Sequence, residues 1–288
     1  MKNEKTWVLV LAVSAIAFLL TASLMGIFLD DGGKPHDFTS LRGDSVEIYG
    51  GKGLYQYDSV YKAVGFKGFD WANLFMGVPL FILGVYLYRR GLLRGQVLLA
   101  ALFAYLAYNY LIGVMGNAFN ILFLFWTALF SLGLFGLAIV LTGIGIPSLP
   151  EKLGANFPRR SLSVYAVILG LFLLFQYLVE ILTAYGSGKS PASLGIYTTL
   201  ELAAFELGIM IPLHIVGGIL LWRRKAVGYL LVSILAFTAL MTFISLSISM
   251  LILYFEFDRG SVFDVAIPIF LAVIAAGFSA AIYRQVKS

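Results

Sequence analysis

PLFILGVYLYRRGLLRGQVL, residues 79–98, and PLHIVGGILLWRRKAVGYLL, residues 212–231, agree at eight of twenty positions. The shared residues include Pro79/Pro212, Gly84/Gly217, Arg90/Arg223 and Gly95/Gly228. Each stretch is an apolar run that stops at basic residues and gives way at once to a second apolar run. That pattern reads as two helices crossing a bilayer and turning back at a basic surface. Two such hairpins at the same internal spacing suggest a duplicated bundle with halves 1–150 and 151–288. Convergence is the competing reading, because prolines and terminal arginines are common in unrelated membrane helices. If the chain is duplicated, the working site is expected near the axis between the halves.

The composition places the whole chain in the same class. Hydrophobic residues make up 60%, charged residues 12%, and mean hydropathy is +0.93; soluble domains carry about 25% charged residues. Eight stretches reach the roughly 20 residues that cross a bilayer: 7–29, 71–89, 93–113, 119–143, 161–185, 196–222, 227–254 and 263–283. The fold class is therefore an all-α polytopic membrane bundle, since only helices satisfy every backbone group within one segment. Four spans in each half make the repeat parallel, with its pseudo-axis along the membrane normal. The first run follows Lys2 and Lys5 and is too long for a typical signal peptide, so it reads as an uncleaved anchor.

Basic residues set the expected orientation. The N-terminus, Arg89-Arg90 with Arg94, the connection from Lys152 to Arg160, Arg223-Arg224-Lys225 and the tail with Arg284 and Lys287 fall on one side, which should be cytoplasmic in a cell membrane. The net charge of +5 thus belongs to an inner-leaflet surface, and nucleic acid is not an expected partner. With no cysteine and only His36 and His214, thiolate, haem and His-rich zinc sites are not expected, and no metal or cofactor is assigned. No lysine falls inside these eight spans, which argues against a retinal Schiff base. Serine-hydrolase, P-loop, dinucleotide and HExxH patterns are absent.

The loop 30–69 is the one sizeable extramembrane segment and reads as a lid over the outer end. Its first third, DDGGKPHDFTS, lacks an apolar period and reads as flexible. SVEIYGGKGLY reads as a hairpin around Gly50–Gly53, and YDSVYKAVGF as a short helix capped at Asp58-Ser59. Tyr49, Tyr55, Tyr57 and Tyr61 are expected half wet at the interface.

Polar residues in the spans concentrate toward the outer side. Asp70, Asn73, Asn109, Asn117, Asn120 and Asp264 form an expected outer-face cluster, with Asp70 and Asp264 readable as helix N-caps. Glu180 and Gln176 lie one turn apart and share a face of the fifth span. Glu201 and Glu206 lie on the sixth, with Glu206 about 15 Å below the outer start, near the midplane. A carboxyl so deep is expected to be neutral or in contact with a bound cation, or else to serve as structural glue bonded to Gln176 or Thr242. Thr238, Thr242, Ser245 and Ser249 form a hydroxyl stripe on the seventh span, which close helix packing also explains. The candidate binding set is thus Glu206, Glu180, Gln176, Glu201, Thr242 and Ser245. His214 reads as a packing residue.

At YGGKGLYQYDS, GFDWANLFMGVPL, YNYLIGVMGNAFNILFLFW and FELGIMIPLHIVGGILLWRRKAVGYLL the chain resembles a family of prokaryotic multi-pass membrane proteins known only as hypothetical. Members tend to carry Asp where this chain has Glu206, so the resemblance implies an acid at that place and no established activity.

Three functions fit these residues. The first is transport or binding of a small solute, proton or cation at an acidic site open to the outside. The second is a sensor or assembly partner acting through the lid. The third is an outer-leaflet enzyme on a lipid-linked substrate, with Asp30-Asp31 as its acidic pair. The lipid bilayer is the partner common to all three, and nothing in the sequence sets the oligomeric state.

Overall fold

The computed structural model describes residues 2–154 and 156–286 and has eight helical spans long and apolar enough to cross a membrane. In chain order, α1 is Lys2–Phe28, β1 His36–Thr39, β2 Ser45–Ile48, α2 Val60–Ala72, α3 Val78–Arg89, α4 Leu93–Gly116 and α5 Phe123–Thr142. They are followed by the short α6 Leu149–Lys152, then α7 Arg159–Ser187, α8 Glu201–Phe205, α9 Ile211–Trp222, α10 Ala226–Glu256 and α11 Val262–Gln285. The pairs α2–α3 and α8–α9 each form one span, joined by a widened π turn at Asn73–Gly77 and Glu206–Met210.

The chemistry of proline explains both π turns. Pro79 and Pro212 have no N–H, and their rings crowd the preceding turn of an α-helix. One extra residue per turn relieves the crowding. Val78 N–H accordingly bonds Asn73 O, and Ile211 N–H bonds Glu206 O, five residues back instead of four.

The two basic hairpins also turn alike. Leu92 N–H reaches Leu87 O at 3.2 Å, and Lys225 N–H reaches Leu220 O at 2.9 Å. Between them, Gly91 and Arg224 are left-handed, with φ of 78° and 57°. Gly95 lies against the backbone of Leu87 and Tyr88, and Gly228 against that of Leu220 and Leu221, so a Cβ on either would strike main chain.

The halves differ in closure. In the first, α1 packs along α5 while α4 packs on α3 and α5. In the second, α10 packs on α9 and α11 in the same manner and α7 packs on α9, but among the described residues α7 and α11 make no comparable approach. They meet near their arginine ends, where the rings of Tyr165 and Phe278 are 4.6 Å apart. Toward the opposite end they splay, leaving Phe175, Leu178 and Leu182 on one helix and Phe263, Ile267 and Phe270 on the other exposed. The halves join where α2 and α4 pack on α10. Gly68 allows the α2 contact, because its backbone lies directly against Ser245 and Ser249.

Several sequence expectations change. The second span begins at Val60 instead of residue 71, so Lys62 and Lys67 fall within it and the premise of lysine-free spans fails. The sixth begins at Glu201 and the fourth at Phe123, with residues 196–200 and 119–122 outside the helices. The stretch read as flexible contains β1, which pairs antiparallel with β2 from His36↔Ile48 to Thr39↔Ser45. The hairpin turn is therefore at Ser40–Asp44, not at Gly50–Gly53. Tyr57 and Tyr61 are exposed as expected, whereas Tyr49 and Tyr55 are buried. Ser59 does cap its helix, its side chain accepting from Lys62 N–H, but that helix continues into the membrane span.

Candidate functional site

A cavity of about 980 Å³ lies where the second half meets α2 and α4 of the first. Its walls come from α2, α4, α7, α8, α9 and α10, and its mouth lies beneath the lid hairpin. Four of the six residues expected at a binding site line it: Glu206, Gln176, Glu201 and Thr242. The other two do not. Glu180 instead accepts a 2.8 Å bond from Ser193 N–H, holding the short 3-10 turn after α7. Ser245 turns away from the cavity, donating to Met241 O at 2.8 Å where α10 meets α2.

The hydroxyl stripe on α10 therefore divides. Thr238 and Thr242 face the cavity, while Ser245 and Ser249 serve helix packing, Ser249 donating to Gly65 O at 3.1 Å. Small residues with hydroxyls let two membrane helices approach, which accounts for this second pair.

Depth in the cavity is set by one helix face. Glu206 and His214 are eight residues apart, which on an ideal α-helix leaves them well off one line. The π turn between them absorbs one residue, so both point into the cavity. Glu206 Oε1 accepts from Tyr108 OH at 2.6 Å, a partner from α4 and neither of the two expected from sequence. His214, nearest the floor, packs beside Gly170 with Leu169, Thr238 and Ala239 also lining that level. Its Nδ1 lies 2.8 Å from Met210 O, so Nδ1 carries the proton and Nε2 is left as an acceptor, buried and without a partner. His214 thus packs as expected, with one ring nitrogen left without a partner among the described residues.

Ion pairs gather at the mouth. Lys62 pairs with Glu201 and sits 4.1 Å from the Tyr197 ring centroid, and Arg259 pairs with Glu47 of β2. At the hairpin tip Arg42 donates to Ser190 Oγ at 2.9 Å, Gly195 O at 2.7 Å and Tyr197 O at 2.7 Å, clasping the α7–α8 connection over the opening. Beneath this clasp Asp58 accepts from Tyr197 OH and Ala118 N–H, each at 2.7 Å. Burial pushes its carboxyl up to about 6, against the opposing pull of those bonds and of Lys62. Burial also pushes the Tyr197 phenol up, and the Asp58 charge adds to that.

The expected outer-face cluster does not assemble. Asp70 is not an N-cap but a buried mid-helix residue that accepts from Tyr55 OH at 2.6 Å. Asn73 accepts from Tyr105 OH at 2.8 Å in the bundle interior, and Asn109 is buried with its Oδ1 unpartnered. Asn117 donates to Asp58, and Asn120 accepts from Leu122 N–H at the start of α5. Asp264 does take part in a cap, as the third residue of a capping box led by Ser261. Asp70, Asn73, Asn117, Asn120 and Asp264 thus brace separate joints, each through a partner of its own.

The acidic pair is likewise spent on structure. Asp30 accepts from Lys67 Nζ at 2.8 Å and from Tyr49 OH at 2.7 Å. Asp31 accepts from Lys52 N–H at 2.8 Å, which holds its carboxyl below the usual range. No family model, curated protein or solved structure matches the chain. Tyr108, Tyr197, Arg259 and Glu47 escaped sequence reasoning, since each reaches the cavity from a distant part of the chain. His214 carried a readable signal, a lone histidine within an apolar span.

Proposed function

We propose that this multi-pass protein binds a largely apolar small molecule in the cavity of its second half, in a cell membrane with both termini cytoplasmic and the mouth facing outward. One observation carries the reading: an enclosure of about 980 Å³ whose apolar walls hold a few converging polar groups at depth. Ligand sites are concave, mostly apolar and oriented by a small number of such groups. We take the cavity to open sideways between α7 and α10, toward lipid tails, where the lining residues Gln176 and Leu246 are exposed. An apolar ligand enters by that route without crossing the lid.

Binding is favoured over a conducting path. Toward the arginine end, Leu169, Ala239, Phe243 and Ala275 pack into a closed apolar floor. Transport then requires the helices around this floor to part, with the π turns of the second and sixth spans, at Asn73–Gly77 and Glu206–Met210, as bending points. We also take the halves 1–150 and 151–288 as a parallel duplication, supported by the matching π turns, left-handed residues and buried glycines. In that view the first copy is the scaffold and the second has opened to make a site. The resemblance to the uncharacterised multi-pass family adds no chemistry to it.

A sensing role is the second reading, favoured by the Arg42 clasp, through which cavity occupancy reaches the lid. The enzyme reading loses its acidic pair to the Asp30–Lys67 and Asp31–Lys52 contacts. The test uses Gly65, which lines the cavity and has open space at its Cβ position. Gly65→Leu puts a branched side chain into the cavity from a position where a Cβ meets no other atom within 4 Å. An apolar small molecule recovered with the purified wild type by mass spectrometry, and absent from Gly65→Leu, supports the reading; an identical profile from both proteins overturns it.

A further inference from the structure

The charges lining the cavity pair off with one exception. Asp44 pairs with Arg42, Glu47 with Arg259 and Glu201 with Lys62. Glu206, the deepest of the four lining acids and only 8% exposed, has no cation among the described residues, and its hydrogen bond comes from the neutral phenol of Tyr108. A carboxylate taken from water without a partner is costly, and the group escapes that cost by holding a proton or by meeting a bound cation. Neither lining cation is free to supply it, because Lys62 and Arg259 are committed at the mouth.

The remaining polar side chains at depth are neutral: Gln176, Thr242 and Tyr177 line the cavity with donors of their own, while two others offer acceptors. His214 Nε2 is an unpartnered acceptor in a side chain 5% exposed. Thr238 gives its proton to Ile234 O at 3.1 Å and keeps only acceptor capacity toward the cavity. Tyr108 has already spent its proton on Glu206. The lower cavity thus presents Glu206 as its one acid and, among the described residues, holds no free cation for a phosphate, sulfate or carboxylate. Rings of Tyr108, Tyr177, Phe66 and Phe69 line the same level, and aromatic faces attract cations.

We propose that the ligand is an amphiphilic amine, whose ammonium rests on Glu206 while its apolar body fills the space between α7 and α10. An ammonium has three donors and no acceptor, which suits Glu206 and the acceptors beside it. The inference rests on the cavity being a binding site for an apolar molecule.

The test compares dodecylamine, dodecan-1-ol and dodecanoic acid on the full chain in neutral-lipid nanodiscs, reading ligand-dependent shifts of the thermal midpoint. Bound ligand raises that midpoint by mass action. Dodecylamine is expected to bind at least about tenfold more tightly than the acid or the alcohol, a difference of about 1.4 kcal/mol. Glu206→Gln keeps an acceptor for Tyr108 and should reduce the preference to under about threefold, while Gly65→Leu should weaken all three probes and so separates the cavity from the bilayer. An acid or alcohol that matches the amine in the wild type, or a preference that survives Glu206→Gln, overturns the amine assignment and leaves the cavity reading standing. If none of the three shifts the wild type relative to Gly65→Leu, both fail.

Discussion

Tyr108 of α4 donates to Glu206 of the second π turn across 2.6 Å, and this bond joins the first half of the chain to the deepest acid of the second. Removing the phenol leaves a buried carboxyl oxygen without a donor. Tyr108→Phe should lower stability by about 1–3 kcal/mol. Glu206→Gln preserves the acceptor and should cost less than Tyr108→Phe. Thermal unfolding of both variants in detergent decides it, and equal losses would count against the bond.

Asp58 makes the lid sensitive to pH. Below its ordinary value near 3.8 the carboxyl is protonated whether the lid is closed or open, and the closed form keeps its full stability. As pH rises, the open form ionises first, so closure weakens until the closed-state value of about 6 is passed. Amide exchange in residues 190–200, corrected for intrinsic rate, should therefore be faster at pH 7 than at pH 4.5. Asp58→Asn should flatten this dependence. The same slope in the variant would exclude Asp58 as its source.

Asp30 and Lys67 form a buried pair, their side chains 3% and 10% exposed. Lys67→Met leaves an uncompensated charge and should cost about 3–5 kcal/mol. The double variant Asp30→Leu with Lys67→Met should be more stable than Lys67→Met alone. Additive losses in the cycle would refute a structural pairing and return Asp30 to other duties.

Gly68 permits the seam between the halves. A Cβ there would come within 2.8 Å of Ser249 N and still closer to Ser249 Oγ, so Gly68→Ala should cost about 1–3 kcal/mol. Gly65→Ala, three residues earlier with open space around it, should gain up to about 1 kcal/mol of helix propensity. Chemical unfolding of the pair tests whether this seam is tight.

Arg224 holds a left-handed conformation where the first hairpin has Gly91. Arg224→Gly should raise stability by about 1 kcal/mol. An unchanged or lowered midpoint would show that the arginine side chain compensates elsewhere.

The sequence was informative wherever a property is local. Apolar run length marked all eight crossings, and Pro79 and Pro212 marked the places where the helices change pitch. Glu206 stood out because a carboxylate inside an apolar run is rare at any depth. Span boundaries near Lys62 were misplaced, since hydropathy counts a lysine as soluble whether or not Glu201 neutralises it.

Partners were another matter. Asp70, Asn73 and Asp264 share the outer ends of their spans in sequence, yet they brace separate joints once Tyr55, Tyr105 and Ser261 are in place. The distance between α7 and α11 has no local signature, because it depends on how α10 packs against α2, α4 and α9 together. The sequence by itself therefore determined a bundle of eight apolar helices, their bends and their deep acid, all set by the bilayer's demand on each segment. Only the tertiary structure decided that the second half stays open and that Glu206 lacks a cation among the described residues, because both follow from contacts between residues far apart in the chain.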